Sequence, residues 1–179
     1  MKEKAYLTML RSVTLVTRSE EETMEIGAAL GRLLRPGDMV FMIGELGSGK
    51  TRLAKGLIAQ ATGTPREDVV SPTFTLMNRF EGDFDVYHAD LYRLAPEHVE
   101  GIGLEDALDQ GGALLVEWAE RISWVEEEAL VVRFDASDQT DTRIIVFEWG
   151  EQSSWGKRIP LVLSELPEGI KPDYESLRI

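Results

Sequence analysis

The chain has 179 residues, of which 43% are hydrophobic and 28% charged, enough for one domain with a real core. Asp and Glu outnumber Lys and Arg 32 to 19, a net charge of −13, which disfavours autonomous tight binding of nucleic acid, a process driven by cations that neutralise phosphates. Cysteine is absent, excluding disulfides, thiol catalysis and zinc–thiolate sites, and no apolar run nears the ~20 residues needed to span a bilayer.

Lys2 and Lys4 precede a weak apolar stretch that Arg11 interrupts. No signal peptide is expected there, and the expected compartment is the cytoplasm. The first twelve or so residues read as a tail, and Val13 to Thr17 as a first strand. Ser19-Glu20-Glu21-Glu22 then matches a capping box, with Ser19 as N-cap and Glu22 at the third helical position. Ile26, Ala29, Leu30, Leu33 and Leu34 line one face of the predicted helix, and Pro36-Gly37-Asp38 turns the chain out of it.

Met39 to Ile43 is a continuous apolar run, as expected of a strand buried on both faces. It leads into GELGSGKT at 44–51, which fits the phosphate-loop pattern G-x-x-x-x-G-K-[ST] at every fixed position. Gly44, Gly47 and Gly49 let the backbone curl round an anion, so that N–H groups from Glu45, Leu46 and Ser48 onward face a phosphate. In such a loop Lys50 reaches the β- and γ-phosphates and the Thr51 hydroxyl ligates Mg²⁺. Leu53, Ala54, Leu57, Ile58 and Ala61 continue as a helix until Gly63 and Pro65. Strand, loop and helix are the context this pattern requires. The bland alternative is a Gly-rich turn before an ordinary helix.

Segments 74–81 and 84–89 read as a hairpin through Gly82-Asp83. A polar, helix-prone stretch precedes the strand Ala113 to Val116, which ends in Glu117-Trp118. Residues 129–135 and 142–149 alternate as a C-terminal antiparallel hairpin. Residues 150–179, with Pro160, Pro167 and Pro172 among charges, are expected to be an irregular appendage. The expected architecture is therefore α/β: a three-layer P-loop fold with a mixed sheet at 1–149, and an extension of unknown role at 150–179.

A phosphate loop needs a carboxylate near Mg²⁺, usually at the end of a neighbouring buried strand. Glu117 and Asp90 both end extended segments. We assign Glu117 to the metal and Asp90 to orienting the attacking water; for an isolated acid, a surface position is the competing reading. Ser71-Pro72-Thr73 offers hydroxyls that could sense a γ-phosphate as switch loops do, against the simpler reading of a plain turn.

GELGSGKT, SPTFTL at 71–76, HADLYRL at 88–94 and LLVEWAERI at 114–122 occur here in one order and spacing. In this the chain resembles the TsaE family, the bacterial P-loop ATPases of tRNA threonylcarbamoyladenosine synthesis, over roughly residues 13–149. The resemblance implies a Mg²⁺-dependent ATPase that joins the TsaB–TsaD heterodimer, contacts tRNA only through that complex, and supports its turnover without performing the transfer. It implies that Gly44 to Thr51 hold ATP or ADP, that Thr51 and Glu117 bind Mg²⁺, and that Ser71 and Thr73 belong to a switch-like loop. Asp90 would be the water-positioning acid, with Glu20 and Arg143 near the nucleotide. Family loops usually carry Asp and Ala where this chain has Glu45 and Ser48, substitutions that keep the polarity or small size the loop needs.

The rival reading is a small-molecule kinase. Such enzymes use a lid with several arginines, and 91–105 contains only Arg93. A guanine-specific switch would carry N-K-x-D, which is absent.

Overall fold

The structure, a computed structural model, describes residues 10–72, 74–123, 128–170 and 172–173. Among the described residues eight strands form one sheet in the order β3-β4-β5-β2-β6-β7-β1-β8. At its centre β4 (Val86–Asp90), β5 (Ala113–Glu117), β2 (Met39–Ile43) and β6 (Leu130–Asp135) run parallel. Antiparallel neighbours extend it on both sides. β3 (Met77–Phe80) pairs with β4, while β7 (Arg143–Gly150) joins β6, β1 (Leu10–Thr17) joins β7, and β8 (Pro172–Asp173) joins β1. Both predicted hairpins are present and the sheet is mixed.

The alternation of side chains across the sheet divides the core in two. Leu115, Val40, Met42, Val132 and Phe147 face a layer made by α1 (Glu20–Arg32), α2 (Lys50–Thr62) and α4 (Trp155–Ser164). Leu114, Val116, Phe41 and Ala89 face the other way, onto a 3₁₀ segment at Pro96–Ile102, the short helix α3 (Leu104–Asp109) and the turn around Ala119. Three layers result, the second helical layer thinner than the first.

α1 begins where the capping box places it. Ser19 Oγ accepts from the Glu22 N–H at 3.0 Å, although the Glu22 carboxylate reaches back to the Arg18 N–H instead of that of Ser19. α1 and α2 then lie backbone to backbone. A Cβ on Gly27 would stand 2.1 Å from the Leu53 carbonyl oxygen, and one on Gly56 would stand 1.9 Å from that of Met24. This contact fixes α2, and with it the phosphate loop, against α1.

The segment after residue 149 differs from expectation. Instead of an irregular appendage it forms α4, whose Trp155, Ile159 and Val162 are buried in the main core. Arg158, 2% exposed, makes a two-pronged ion pair with Asp38 (2.5 and 2.8 Å), also donates to the Leu33 carbonyl, and lies 3.8 Å from the Trp155 ring centroid. Removing one partner of so buried a pair typically costs about 3–5 kcal/mol. Arg158 thereby ties α4 to the turn that launches β2.

Candidate nucleotide-binding site

The loop at 44–49 leaves the end of β2 and opens α2, so its N–H groups and the helix N-terminus point the same way. Two of its glycines are required by the conformation. Gly44 has φ 148° with Phe134 atoms 2.9 Å from where a Cβ would stand. Gly49, the N-cap of α2, has φ 116° and Arg143 Cδ 2.9 Å from its Cβ position. A side chain at either position would be both strained and in collision.

A cavity of about 420 Å³ opens over this loop. Of the residues singled out from sequence, Glu20, Leu46, Gly47, Ser48, Gly49, Lys50, Thr51, Ser71, Asp90, Glu117 and Arg143 all line it. Gly44 and Glu45 do not, but their carbonyls hold Lys50, and Glu45 lines an adjoining cavity of about 270 Å³ beside Phe134, Asp135 and Asp141. Thr73 lies outside the described residues.

Lys50 is 4% exposed. Its Nζ donates to the Gly44 and Glu45 carbonyls at 2.6 and 2.9 Å and sits 4.1 Å from the Trp118 ring centroid. Burial lowers its pKa from the ordinary lysine value, opposed first by the charge of Glu117 and then by Glu120, Asp90 and Glu45. An anionic ligand would act as those acids do and favour the charged form. The ammonium is thus held by neutral carbonyls in a pocket wall, where a phosphate is a better partner.

The two acids are neighbours by register. Asp90 pairs with Glu117 across β4 and β5, so both carboxylates leave the parallel sheet at the same level and on the α2 side. They are 6% and 2% exposed, which removes the surface reading. Glu117 accepts from the Thr51 hydroxyl at 2.8 Å through Oε2 and lies 2.9 Å from His88 Nε2 through Oε1. Asp90 accepts from the Ser71 hydroxyl at 3.1 Å and from the Tyr92 N–H at 3.0 Å. Ser71 is therefore joined to an acid of the site. Asp90 connects the loop after residue 70 to the phosphate cavity.

Thr51 and Glu117 together supply a hydroxyl and a carboxylate, the hard oxygen donors that Mg²⁺ takes, with phosphates and water completing its shell. The residues present fit that ion. Trp118, directly after Glu117, adopts φ 61°, a left-handed conformation that costs a bulky residue of order 1–3 kcal/mol. It places the ring over Lys50 and 4.8 Å from the Tyr92 ring. At the other rim Glu20 pairs with Arg52 at 3.0 Å and lies 3.9 Å from Arg143, whose side chain rests on Gly49.

Sequence reasoning assigned no role to His88 or Tyr92. The signal for His88 was available: it stands two residues before Asp90 in a strand, hence on the same face.

A sequence model described as "Threonylcarbamoyl adenosine biosynthesis protein TsaE" matches residues 17–145. The chain belongs to the TsaE family. Among proteins named tRNA threonylcarbamoyladenosine biosynthesis protein TsaE, that of Rickettsia felis is 34% identical over 78% of this chain and 82% of its own length. The Bacillus subtilis protein of that name is 35% identical over 84% and 90% respectively. A crystal structure of Bacillus subtilis YdiB superposes with a TM-score of 0.64 at 28% identity, covering 88% of this chain and 95% of that one. The family match takes in the phosphate loop, both acids and Arg143, and so the whole cavity wall described above. Among the described residues no helix is long and apolar enough to cross a membrane.

Proposed function

We propose that this chain is a Mg²⁺-dependent ATPase of tRNA threonylcarbamoyladenosine formation, acting in the cytoplasm with a TsaB–TsaD heterodimer and hydrolysing ATP to support that complex's turnover. The observation that carries the reading is the 2.8 Å contact between Thr51 and Glu117 at the mouth of a phosphate loop. It joins the first residue after the loop lysine to a buried acid 66 positions away, as an ATP·Mg²⁺ site requires.

Loop N–H groups and Lys50 bind the phosphates and take up charge on the transferring group. Thr51 and Glu117 would hold Mg²⁺, which would supply neutralisation of phosphate charge when bound. Asp90 orients a water for attack on the γ-phosphorus. Ser71, bonded to Asp90, reports the occupancy of the site to its loop. That loop carries exposed apolar side chains, Val70 at 57% and Phe74 at 84%, and Leu46 in the phosphate loop is 71% exposed. Such residues beside a ligand cavity favour a protein partner over RNA, in keeping with the net charge of −13. The kinase reading is weaker still, because Arg93, the sole arginine of 91–105, is stacked 4.8 Å from the Phe74 ring.

Coupling of hydrolysis to a partner must be reciprocal for binding. Affinity for the TsaB–TsaD heterodimer is expected to differ by at least ~5-fold between the ATP and ADP forms, the low end of ordinary coupling. Titration by calorimetry with ATP analogue, ADP and no nucleotide checks this. Equal affinities in all three states would remove the coupled reading and leave a constitutive subunit.

A further inference from the structure

His88 is fully buried in the middle of β4 and points to the α2 side of the sheet, where Leu115 is its register partner and Val86 and Glu117 are neighbours on the same face. Its Nε2 lies 2.9 Å from Glu117 Oε1. Nδ1 is also buried and has no hydrogen-bond partner among the described residues. A proton on Nδ1 would be an unsatisfied donor, so the tautomer that fits carries its proton on Nε2 and donates it to Glu117. The other carboxylate oxygen is taken by the Thr51 hydroxyl at 2.8 Å. Each oxygen of Glu117 therefore has its own fixed neighbour, and together they set the plane of the carboxylate.

We propose that His88 is the positioning residue of Glu117. The imidazole, held rigidly within β4, anchors Oε1 and keeps Oε2 turned toward Thr51 and the cavity. This rests on the reading of Glu117 as a Mg²⁺ ligand. A carboxylate with one oxygen anchored has lost its side-chain rotation before the ion arrives, and ligands held in this way typically bind metal 10–100-fold more tightly than the same ligands without their supporting hydrogen bond. A histidine that merely filled space in the core would leave metal affinity unchanged when replaced by a side chain of similar volume.

The test uses His88→Leu, His88→Asn and His88→Gln in the full chain. A glutamine amide reaches about as far as Nε2 and can donate to Oε1, whereas the shorter asparagine places its amide where Nδ1 stands. Binding of a non-hydrolysable ATP analogue is titrated with Mg²⁺ and, separately, measured in EDTA. The expected result is a Mg²⁺ midpoint raised roughly 10–100-fold in the Leu and Asn variants, restored in Gln, with metal-free affinity alike in all. A wild-type midpoint in the Asn variant, or a metal-free affinity that falls in step with the midpoint, would overturn the proposal. If the Leu variant does not fold, the Asn–Gln contrast decides, since those two differ by one methylene. Wild-type protein showing no Mg²⁺ dependence would instead remove the assignment of Glu117, a distinct failure.

Discussion

Asp90→Asn is expected to bind Mg²⁺·ATP with little loss and to hydrolyse it about 10²–10⁴-fold more slowly, the range usual for a lost general base. Asparagine keeps the shape of the side chain and an oxygen for the Tyr92 N–H, which Asp90 holds at 3.0 Å, so the turn at the end of β4 survives. It removes the negative charge that, in the proposed role, draws a proton from water. It also replaces one carboxylate oxygen with an amide, which disturbs the bond from Ser71 at 3.1 Å. Nucleotide binding by equilibrium titration and single-turnover hydrolysis separate the two effects. Glu117→Ala should do the reverse, weakening the metal-dependent part of binding. If Asp90→Asn loses Mg²⁺-dependent binding while Glu117→Ala retains it, the two roles are exchanged.

Lys50→Ala is expected to abolish ATP hydrolysis while leaving the fold intact. The ammonium contacts two loop carbonyls, the Ser48 hydroxyl and the Trp118 ring, and Lys50 itself belongs to neither apolar cluster that holds the helices on the sheet. On the proposed function, its loss removes from a buried position a charge that would face the phosphates. Deleting one such stabilising group elsewhere costs about 10²–10³ in kcat. Circular dichroism and thermal unfolding would certify the fold, and phosphate release would give the rate. Wild-type turnover in a folded variant would contradict the placement of the γ-phosphate beside Lys50.

Much of this site is readable from sequence because its parts are local. The phosphate loop is one contiguous segment, and the positive φ of Gly44, Gly47 and Gly49 calls for glycine there whatever else packs nearby. β5 announces itself as an apolar run ending in an acid, and both hairpins by alternation around turn residues. What joins these parts is not local. The pairing of Asp90 with Glu117 follows from strand order, which no periodicity encodes. The hydrogen bond from His88 to Glu117 likewise depends on which strands are neighbours. The fold also places β1 at the far side of β7, a position set by tertiary packing.

α4 was missed for a different reason. Pro160 lies inside it, and proline within a helix removes a hydrogen bond and clashes with the preceding turn, so sequence rules argue for a break. Tertiary contacts override that preference. Trp155, Arg158, Ile159 and Val162 recur at helical spacing and are the buried residues of α4, and the Arg158–Asp38 pair fixes them to the body of the protein. The apolar stripe was visible; the proline obscured it. Thr51 and Glu117 show the opposite case, in which motif residues far apart in sequence converge at 2.8 Å.

The central claim is that this cavity hydrolyses Mg²⁺·ATP and passes the γ-phosphoryl group to water. Following the fate of γ-labelled phosphate with the chain and a TsaB–TsaD heterodimer together, with and without Mg²⁺, tests it most directly. The expected product is inorganic phosphate, formed only with Mg²⁺ and lost in Lys50→Ala. Label recovered in a phosphorylated small molecule, or phosphate release that persists without Mg²⁺ or without Lys50, would contradict the account.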